Sequence, residues 1–530
     1  MFGPKPPGGP ADTIEERRTQ DRMKGFFRLL FHRVGLVAVG IVLQLAVLFA
    51  MLRFFWDVAP ILDVAMTVMA WVLVLYILSD RSNPAYKLAW IILIIGFPVF
   101  GVFLYVIFGG NRLSKRLKKK MSGMEKTLQT SLPQDEAVMD ALRWHEPDAA
   151  VQAQYLSNTA HCPVYQNTET VYFSSGEAAL ASMRRELEKA EKSIYLEYFI
   201  IAHGEVWSGI LDILKRKAAQ GVDVRLIYDD FGCIRRLDYH YDQQLEEYGI
   251  QARAFNRFVP LLDSRMNNRD HRKFMIIDAR VGFTGGVNLA DEYANLGSRP
   301  FGHWKDCSIQ LRGDAVRSMT VFFLSMWNYI TENRKVDPPP EPLYLPDAVG
   351  YVQPYVDSPL DFEAVGRTVF SNMITRSRKR VWIMTPYLII DDGMVETLTN
   401  AAKAGIDVRI ITPGIPDKKH VYEVTRANYP ALLEGRVRIF EYTPGFVHSK
   451  LFLADDDIAA VGTVNLDFRS LYLHFEDGVW IYRGTCMEQI RRDFEETFPM
   501  CREITYADTR EVGFFRKLYR ALLRLLSPLM

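Results

Sequence analysis

The sequence lacks a surplus of charge of either sign, since its 530 residues carry 64 lysines and arginines against 63 aspartates and glutamates. A protein whose main partner is a nucleic-acid backbone usually carries a clear positive surplus, so the balance disfavours that class. The sequence also lacks a Cys-x-x-Cys pair among its five cysteines and lacks a Gly-x-x-x-x-Gly-Lys-Ser/Thr loop. We therefore expect no disulfide framework, no zinc site and no nucleotide-phosphate loop.

Long uncharged runs, in contrast, are present near the N-terminus. Val34 to Leu52 is an uncharged run of 19 residues and Leu88 to Phe108 is one of 21. As helices, both are long enough to cross a hydrocarbon layer of about 30 Å. Val64 to Leu78 is apolar but shorter. We expect a transmembrane region of two to three helices over 34–110 and a multi-pass placement in the cell (inner) membrane.

Basic clusters flank this region, one in an N-terminal segment over 1–33 and one in a juxtamembrane linker over 111–150. The clusters comprise Arg17, Arg18, Arg22, Lys24, Arg28 and Arg33, and then Arg112, Lys115, Arg116, Lys118, Lys119 and Lys120. The positive-inside rule would keep both clusters on the cytoplasmic side, which three spans do not satisfy, so the number of true spans stays open. We expect the C-terminal part to lie in the cytoplasm, because the second cluster is dense and directly follows a strong span.

The remaining chain contains one α/β pattern twice. Ser193 to Ile201 predicts a buried strand, Val206 to Gln220 a helix and Gly221 to Tyr228 a second strand. Arg380 to Ile390, a following helix and Gly405 to Thr412 repeat the order. Strand, helix, strand is the βαβ unit of a sheet covered by helices, so the pattern predicts two similar α/β lobes.

A proline-rich stretch separates the two copies. It contains Pro338, Pro339, Pro340 and Pro342, which fit neither a helix nor a central strand. We place the first lobe at 151–337 and the second at 338–510. The last segment, 511–530, has apolar residues at helical spacing with arginines and lysines between them, which predicts an amphipathic helix lying on anionic lipid.

Each lobe carries the same polar constellation. The members are His271, Lys273, Asp278, Gly286 and Asn288, within HRKFMIIDARVGFTGGVN, and His448, Lys450, Asp455, Thr463 and Asn465, within HSKLFLADDDIAAVGTVN. The spacing from histidine to lysine, aspartate and asparagine is 2, 7 and 17 residues in both. On a strand, a spacing of two places histidine and lysine on the same face, where both can reach one phosphate.

Phosphodiester chemistry needs these residue types. A neutral imidazole can attack phosphorus to form a phosphohistidine, and a second imidazole can protonate the departing alkoxide. Lys273 and Lys450 would neutralise the non-bridging oxygens, and Asn288 and Asn465 can donate hydrogen bonds to them. Because lysines supply the positive charge, we expect no metal and no cofactor.

The duplicated HxKxxxxD pattern, with its trailing G-[GT]-x-N, resembles the signature of the phospholipase D superfamily. In that superfamily two such motifs meet at a pseudo-twofold interface to form one active site, and an additional acid near each motif orients the imidazole. The matching acids here are Asp306, in HWKD, and Glu476, in HFED. By analogy His271 would be the nucleophile and His448 the general acid and base, although the near symmetry leaves these roles interchangeable.

Other positions acquire expected roles from the same resemblance. Asp278 and Asp455 belong to the catalytic motif and would support the site more than act in it. Gly286 and Thr463 stand where many members of the superfamily carry serine, and we expect them to contact substrate together with the two asparagines. His303 and His474 stand out among the other histidines because they adjoin the two orienting acids.

The segment PAYKLAWIILIIGFPVFGVFLYVIFG, the stretch GTVNLDFRSLYLHFE and the terminal LSPLM are similar to bacterial cardiolipin synthases. The resemblance implies transfer of a phosphatidyl group between two phosphatidylglycerol molecules, with cardiolipin as product and the lipid bilayer as partner. Two alternatives stay open: a phospholipase D-type hydrolase that uses water, and a non-catalytic membrane protein that binds anionic lipid. The sequence also leaves open whether the chain forms a homo-oligomer.

Overall fold

The computed structural model describes residues 59–80, 83–109, 115–258, 268–331, 345, 348–361, 363–510 and 512–529, and five isolated positions between 42 and 50. The predicted span from Val34 to Leu52 lies outside the described residues apart from these positions. The basic segment over 1–33, Arg112 and the proline-rich linker also lie outside them.

The described strands are short and mostly buried. They are β1 (Thr168–Phe173), β2 (Ser193–Tyr198), β3 (Asp223–Asp229), β4 (Gln251–Phe255), β5 (Arg269–Asp270), β6 (Lys273–Ile277), β7 (Val281–Gly285), β8 (His303–Lys305), β9 (Ser308–Gly313), β10 (Tyr351–Asp357), β11 (Arg380–Met384), β12 (Leu388–Ile389), β13 (Asp407–Pro413), β14 (Arg438–Tyr442), β15 (Gly445–Val447), β16 (Leu451–Ala454), β17 (Ile458–Gly462), β18 (Leu466–Asp467), β19 (His474–Tyr482) and β20 (Cys501–Ile504). Strands such as β6 and β16 are buried at every position, as expected of central strands covered on both faces.

The described α-helices surround these strands. They are Ala59–Ser79, Pro84–Gly96, Pro98–Leu104, Lys115–Ser131, Glu136–His145, Pro147–Ala160, Gly176–Leu187, Glu205–Ala219, Asp230–Cys233, Tyr241–Glu246, Val316–Thr331, Val365–Arg376, Asp392–Lys403, Lys419–Glu434, Phe468–Tyr472, Met487–Thr497, Tyr506–Arg510 and Phe514–Leu526. Short 3-10 turns cover Asp291–Ala294, Phe498–Met500 and Ser527–Leu529, and a π-helical turn covers Tyr105–Gly109.

Two large sheets have matching strand orders, which makes the fold a mixed α/β fold with an internal repeat. The first sheet runs β1-β9-β7-β6-β2-β3-β4 and the second runs β10-β19-β17-β16-β11-β13-β14-β20. The parallel strands β2 and β3 are connected through helix Glu205–Ala219, and the parallel strands β11 and β13 through helix Asp392–Lys403. These are the two βαβ units. The predicted strand from Arg380 to Ile390 is split into β11 and β12, because Pro386 interrupts the backbone hydrogen bonding between them.

Strand pairing also joins the two halves of the chain. β5 of the first half pairs in parallel with β19 of the second, and β8 of the first half pairs in parallel with β15 of the second. A single hydrophobic core contains side chains from both sheets, including Phe274 of β6 and Phe452 of β16. The two halves therefore form one packed body around the segments that carry the histidine motifs.

The N-terminal region differs from the sequence prediction. The predicted helix from Leu88 to Phe108 is wrong as a single element, since the first helix ends at Gly96 and a new helix begins at Pro98. Proline has no N–H and disfavours helical dihedral angles in the residue before it, so Phe97, at φ −140° and ψ 76°, separates the two helices and Pro98 begins the second. Within the described ranges, no helix combines the length and the apolar character needed to cross a membrane.

The predicted boundary between linker and first lobe also needs correction. Position 151 falls inside helix Pro147–Ala160, and the preceding stretch contains helices Lys115–Ser131 and Glu136–His145 in place of a simple linker. Helix Pro147–Ala160 packs against β10 and helix Val365–Arg376 of the second half. These helices therefore belong to the packed body, because their buried faces contribute Met139, Leu142 and Leu156 to its core.

Candidate active site

Two histidines lie at the junction between the halves, each in the short segment that leads into a central strand, β6 for His271 and β16 for His448. The backbone N–H of His271 donates to the carbonyl of Phe475 at 2.9 Å, and that of His448 donates to the carbonyl of Lys305 at 2.7 Å. In each case the acceptor belongs to the opposite half of the chain. The residue that follows each acceptor is an acid, so this pairing places a carboxylate beside each imidazole.

The imidazoles and the carboxylates pair across the halves. His271 Nδ1 lies 3.0 and 2.9 Å from the two carboxylate oxygens of Glu476, and His448 Nδ1 lies 2.7 Å from Asp306 Oδ2. A proton on Nδ1 that is donated to a carboxylate leaves Nε2 with its lone pair free. The two acids named from the sequence are thus found beside the imidazoles, each on the other half of the chain.

Burial sets the protonation state of both pairs. It lowers the pKa of His271 far below its usual value and lowers that of His448 to about 4, although Glu476 and Asp306 act in the opposite direction. Burial would raise the pKa of both acids, but interactions with His271 and His474 lower the pKa of Glu476, and interactions with His448, Lys450 and the backbone N–H of Cys307 lower that of Asp306. At neutral pH the site therefore holds two neutral imidazoles and two ionised carboxylates, and a neutral imidazole is a nucleophile.

The two lysines lie in the same buried cluster. Lys273 Nζ donates to the carbonyl of His271 at 2.6 Å, and Lys450 Nζ lies 3.0 Å from Nδ1 of His448. Burial lowers the pKa of Lys273 to about 8 and that of Lys450 to about 7. Lys273 also interacts electrostatically with both Glu476 and Asp306, so the two half-sites share one cluster of charges. Such charges can stabilise the anionic oxygens of a phosphate.

Gly286 and Thr463 contact the acids. The hydroxyl of Thr463 donates to Glu476 Oε2 at 2.5 Å, and its backbone N–H donates to the carbonyl of Asp477. A Cβ on Gly286 would lie 1.9 Å from Asp306 Oδ1, so a larger residue at this position would clash with the carboxylate. Their contact with substrate, expected from the sequence, stays a prediction.

The two asparagines have different surroundings. Asn288 accepts from the N–H of Ile200 at 3.0 Å and donates to the Tyr293 hydroxyl at 2.7 Å, so both ends of its amide bind protein. The buried Oδ1 of Asn465 has no hydrogen-bond partner among the described residues. Asn465 is therefore the better placed of the two to bind a ligand.

Asp278 and Asp455, grouped with the catalytic residues in the sequence, lie elsewhere. Asp278 accepts three backbone N–H donors, from Glu191, Lys192 and Ser193, at 2.7 to 3.0 Å. Asp455 accepts the equivalent three in the second half, from residues 378–380. Five strand residues span about 16 Å, so each aspartate is far from the lysine of its own motif. In this structure each aspartate anchors the turn before β2 or β11, and its supporting role, expected from the sequence, stays a prediction.

A buried polar network behind the first motif was not predicted. Arg272, between His271 and Lys273, lies 2.5 Å from Glu197 and 3.0 Å from Asp270. Asp477 accepts the backbone N–H of Lys273 at 3.2 Å, and burial raises the pKa of Asp477 to about 7. The detectable signal in the sequence is a glutamate, Glu197, in the middle of an otherwise apolar strand.

One group in the described part of the chain has the composition of a metal site. His271, His474 and Glu476 each offer a ligand atom, and these atoms lie within 4.8 Å of one another. Two histidines and a glutamate form a donor set that zinc accepts. In this structure, however, Glu476 and His271 already form a hydrogen bond that orients the imidazole.

Comparison with known proteins matches the site to a family. A family model described as "Cardiolipin synthase, PLD-like domain" matches residues 183–297 and 370–498, and one described as "Phospholipase D-nuclease N-terminal" matches 65–110. The two matched stretches of the first model include both motif histidines, both motif lysines and the acid Glu476.

Individual relatives agree with this match. A Streptococcus mutans protein described as uncharacterized is 40% identical over 86% of this chain and 99% of its own. A cardiolipin synthase of Geobacillus kaustophilus is 34% identical over 93% of this chain and 99% of its own, and one of Alkalihalophilus pseudofirmus is 35% identical over 86% and 91%. The crystal structure of a Haemophilus influenzae phosphatidylserine synthase is 16% identical, with a TM-score of 0.52 over 72% of this chain and 98% of its own, which is a likeness of fold.

Proposed function

Because the chain belongs to the cardiolipin synthase family, we propose that it joins two molecules of phosphatidylglycerol into cardiolipin and releases glycerol. The observation that carries this proposal is the pair of buried imidazoles, each held by a carboxylate of the opposite half. Two such imidazoles supply the nucleophile and the general acid that exchange at a phosphodiester requires.

In the first step, Nε2 of one imidazole attacks phosphorus. A phosphorus–nitrogen bond forms, the bond from phosphorus to the glycerol oxygen breaks, and the second imidazole delivers a proton to that oxygen. The second imidazole must be protonated for this step, and a bound phosphate anion favours that form because it raises the pKa of a nearby imidazole. By analogy with the superfamily His271 is the nucleophile and His448 the acid, and the exchange of these roles stays open.

In the second step, the same proton route is reversed. The second imidazole takes the proton from a hydroxyl of another phosphatidylglycerol, whose oxygen attacks phosphorus while the phosphorus–nitrogen bond breaks. One phosphodiester replaces another, so the reaction needs no nucleotide. Lys273 and Lys450 neutralise the non-bridging oxygens in both steps.

The matching sheet orders support a finer proposal about architecture. The two α/β lobes are related by a pseudo-twofold axis that passes between the two imidazole–carboxylate pairs. On each side of such an axis, a short strand before a motif histidine pairs with a strand of the other lobe: β5 pairs with β19, and β15 pairs with β8. One active site then serves the whole chain.

Contact with the bilayer is part of the same proposal. We place the region over 34–110 in the cell membrane and the catalytic body on the cytoplasmic side. Apolar side chains of helices Ala59–Ser79 and Pro84–Gly96 are exposed, among them Trp71, Leu88 and Ile95. Exposed apolar surface of this extent is expected where a protein meets lipid.

The C-terminal helix Phe514–Leu526 adds a second apolar surface. One side of the helix packs on the body, where Arg520 is 9% exposed and pairs with Glu423 at 2.8 Å. The other side exposes Phe515 at 84% and Leu518 at 59%. The helix therefore lies on the protein and still presents an apolar face that can enter a lipid surface.

A product assay tests the reaction. Purified protein is incubated with phosphatidylglycerol vesicles and the lipids are resolved by mass spectrometry. Equimolar cardiolipin and glycerol are expected. Phosphatidic acid without cardiolipin would identify a hydrolase, and binding without any product would identify a non-catalytic lipid-binding protein.

A second assay tests the apolar face of the C-terminal helix. Phe515→Glu with Leu518→Glu should lower turnover of vesicle lipid while turnover of monomeric short-chain phosphatidylglycerol is retained, because only the former requires a lipid surface. Trp144→Glu is the matched control, since Trp144 is 87% exposed on a different helix. Equal losses on both substrates would contradict a role in lipid contact.

A further inference from the structure

His474 is a third imidazole beside the two paired ones. It begins β19, two residues before Glu476, so both side chains lie on the same face of the strand. Its ring centroid is 5.6 Å from that of His271, with 42° between the planes. The sequence singled out His474 only because it adjoins an acid.

His474 is nearly buried but lacks hydrogen bonds. Its side chain is 10% exposed, and its Nδ1 lies 3.6 Å from Glu476 Oε1, which is beyond a hydrogen bond. Neither ring nitrogen has a hydrogen-bond partner among the described residues. A buried polar group without a partner is costly, and such a group in a native site indicates a ligand or a water molecule that the site is built to hold.

The equivalent position in the other half-site carries a different chemistry. Trp304 lies two residues before Asp306, as His474 lies two residues before Glu476. The Trp304 ring is 5.4 Å from His448, with 37° between the planes, which is close to the geometry of the His474 pair. The indole N–H of Trp304 is also buried and has no partner in the described part of the chain.

This difference breaks the symmetry of the site. An indole N–H can only donate a hydrogen bond, so Trp304 suits an oxygen without a proton, such as a phosphate or ester oxygen. A neutral imidazole can present either a donor or an acceptor nitrogen to a ligand, depending on its tautomer, so His474 suits a group that can accept a hydrogen bond or donate one. A hydroxyl is such a group. In the proposed reaction hydroxyls leave and enter beside the imidazole that acts as acid and base, so His474, which lies beside His271, fits the assignment in which His271 is the acid and base and His448 is the nucleophile.

We propose that His474 binds the hydroxyl of the alcohol that departs from and attacks phosphorus, and thereby favours alcohol over water as acceptor. This inference rests on the proposed function and adds the ligand class of one half-site. His474 contacts the alcohol oxygen, while the proton transfer itself stays with the paired imidazoles. Water is small and reorients freely, so it depends less on a fixed partner than a lipid hydroxyl does.

The test measures how the phosphatidyl group is divided between the two acceptors. Wild type, His474→Phe and His474→Gln are incubated with phosphatidylglycerol vesicles, and phosphatidic acid and cardiolipin are quantified together. His474→Phe keeps a ring without polar atoms and should raise the ratio of phosphatidic acid to cardiolipin by about ten-fold, the effect of one lost hydrogen bond. His474→Gln keeps a donor and an acceptor and should restore most of the wild-type ratio.

His303→Phe is the matched control. His303 also adjoins the orienting acid of its half-site, but its Nδ1 already contacts the Tyr442 hydroxyl at 3.1 Å. The ratio should be unchanged in this variant. Thermal unfolding of each variant checks that the proteins compared are folded.

The outcomes separate this inference from the proposed function. Wild type that forms no cardiolipin would reject the proposed function. Wild type that forms cardiolipin, with a His474→Phe variant whose two products fall equally, would reject the role of His474 as an alcohol-binding residue. Turnover that rises with added Zn²⁺ and loses this response in His474→Phe would assign the ring to a metal, which also overturns the inference.

Discussion

His271 donates from Nδ1 to Glu476, which lies 205 positions further along the chain in the other half of the molecule. His448 and Asp306 repeat this relationship in the opposite direction, 142 positions apart. Neither half therefore contains a motif histidine together with the acid that orients it. The duplication of the motif yields one site because each copy supplies the acid that orients the histidine of the other.

The orienting acids give the first prediction. Glu476→Gln and Asp306→Asn keep the shape of each side chain, but an amide can donate to Nδ1 and so favour the tautomer whose Nε2 carries the proton. We expect each change to lower kcat by about a hundred-fold or more, as when an imidazole loses its orienting carboxylate. Cardiolipin formation under saturating substrate measures it, and kcat near the wild-type value in either variant would contradict the orienting role.

The residues behind the acids give the second prediction. Thr463→Val removes the hydroxyl that donates to Glu476, whereas Thr463→Ser retains it. Gly286→Ala places a methyl group against Asp306 Oδ1. We expect Thr463→Val and Gly286→Ala to lower kcat by about ten-fold, with Thr463→Ser close to wild type.

Gly123→Ala is the control for the glycine change, because an added Cβ at Gly123 meets no atom within 4 Å. Turnover by this variant should equal that of wild type. If Gly286→Ala were as active as wild type, the absence of a side chain at residue 286 would not be needed to position Asp306.

The lysines give the third prediction, which concerns pH. The pKa values of about 7 for Lys450 and about 8 for Lys273 mean that both lose their charge as pH rises through this range. Since the charged form stabilises phosphate oxygens, kcat/KM should be high below pH 7 on this limb and should fall as pH rises through 7 to 8. Lys450→Arg stays charged, so its alkaline limb should shift toward the pKa of Lys273. An unshifted limb in that variant would show that Lys450 does not titrate in the free enzyme.

The motif aspartates give the fourth prediction. Asp278→Ala leaves three backbone N–H groups without their acceptor and should cost about 1–3 kcal/mol of unfolding free energy. Asp278→Asn keeps one acceptor oxygen and tolerates the backbone at φ 51°, so it should cost less. Thermal unfolding gives the stability, and kcat per folded molecule should stay near wild type for both. A loss of kcat in fully folded Asp278→Asn would indicate that Asp278 takes part in catalysis.

Features that depend on neighbouring residues follow from the sequence, whereas contacts between distant segments do not. The spacing of His271 and Lys273 is local and so is the strand–helix–strand pattern that predicts the βαβ units, while the single shared site is what the resemblance of the duplicated motif implies. The crossing of Glu476 to His271 depends on how the sheets pack, which no local pattern reports. Asp278 was grouped with the histidine because it shares the motif, but strand geometry carries it to the other end of β6.

Hydropathy had a similar limit in the N-terminal region. The run from Leu88 to Phe108 has the composition of a span, yet Pro98 ends one helix and begins another. Composition reports how apolar a segment is, but it does not report that Phe97, before Pro98, leaves the helical conformation. The apolar pattern also does not reveal the buried partner of Arg272, since Glu197 lies in a strand that is predicted from its apolar residues.

The central claim is that two distant imidazoles act on one phosphorus atom. Its most direct measurement is the rate of cardiolipin formation by His271→Ala and by His448→Ala, each checked for folding by thermal unfolding and for membrane insertion. Loss of turnover in both folded single variants is the predicted result. Appreciable turnover in either one would contradict a single site shared by the two halves.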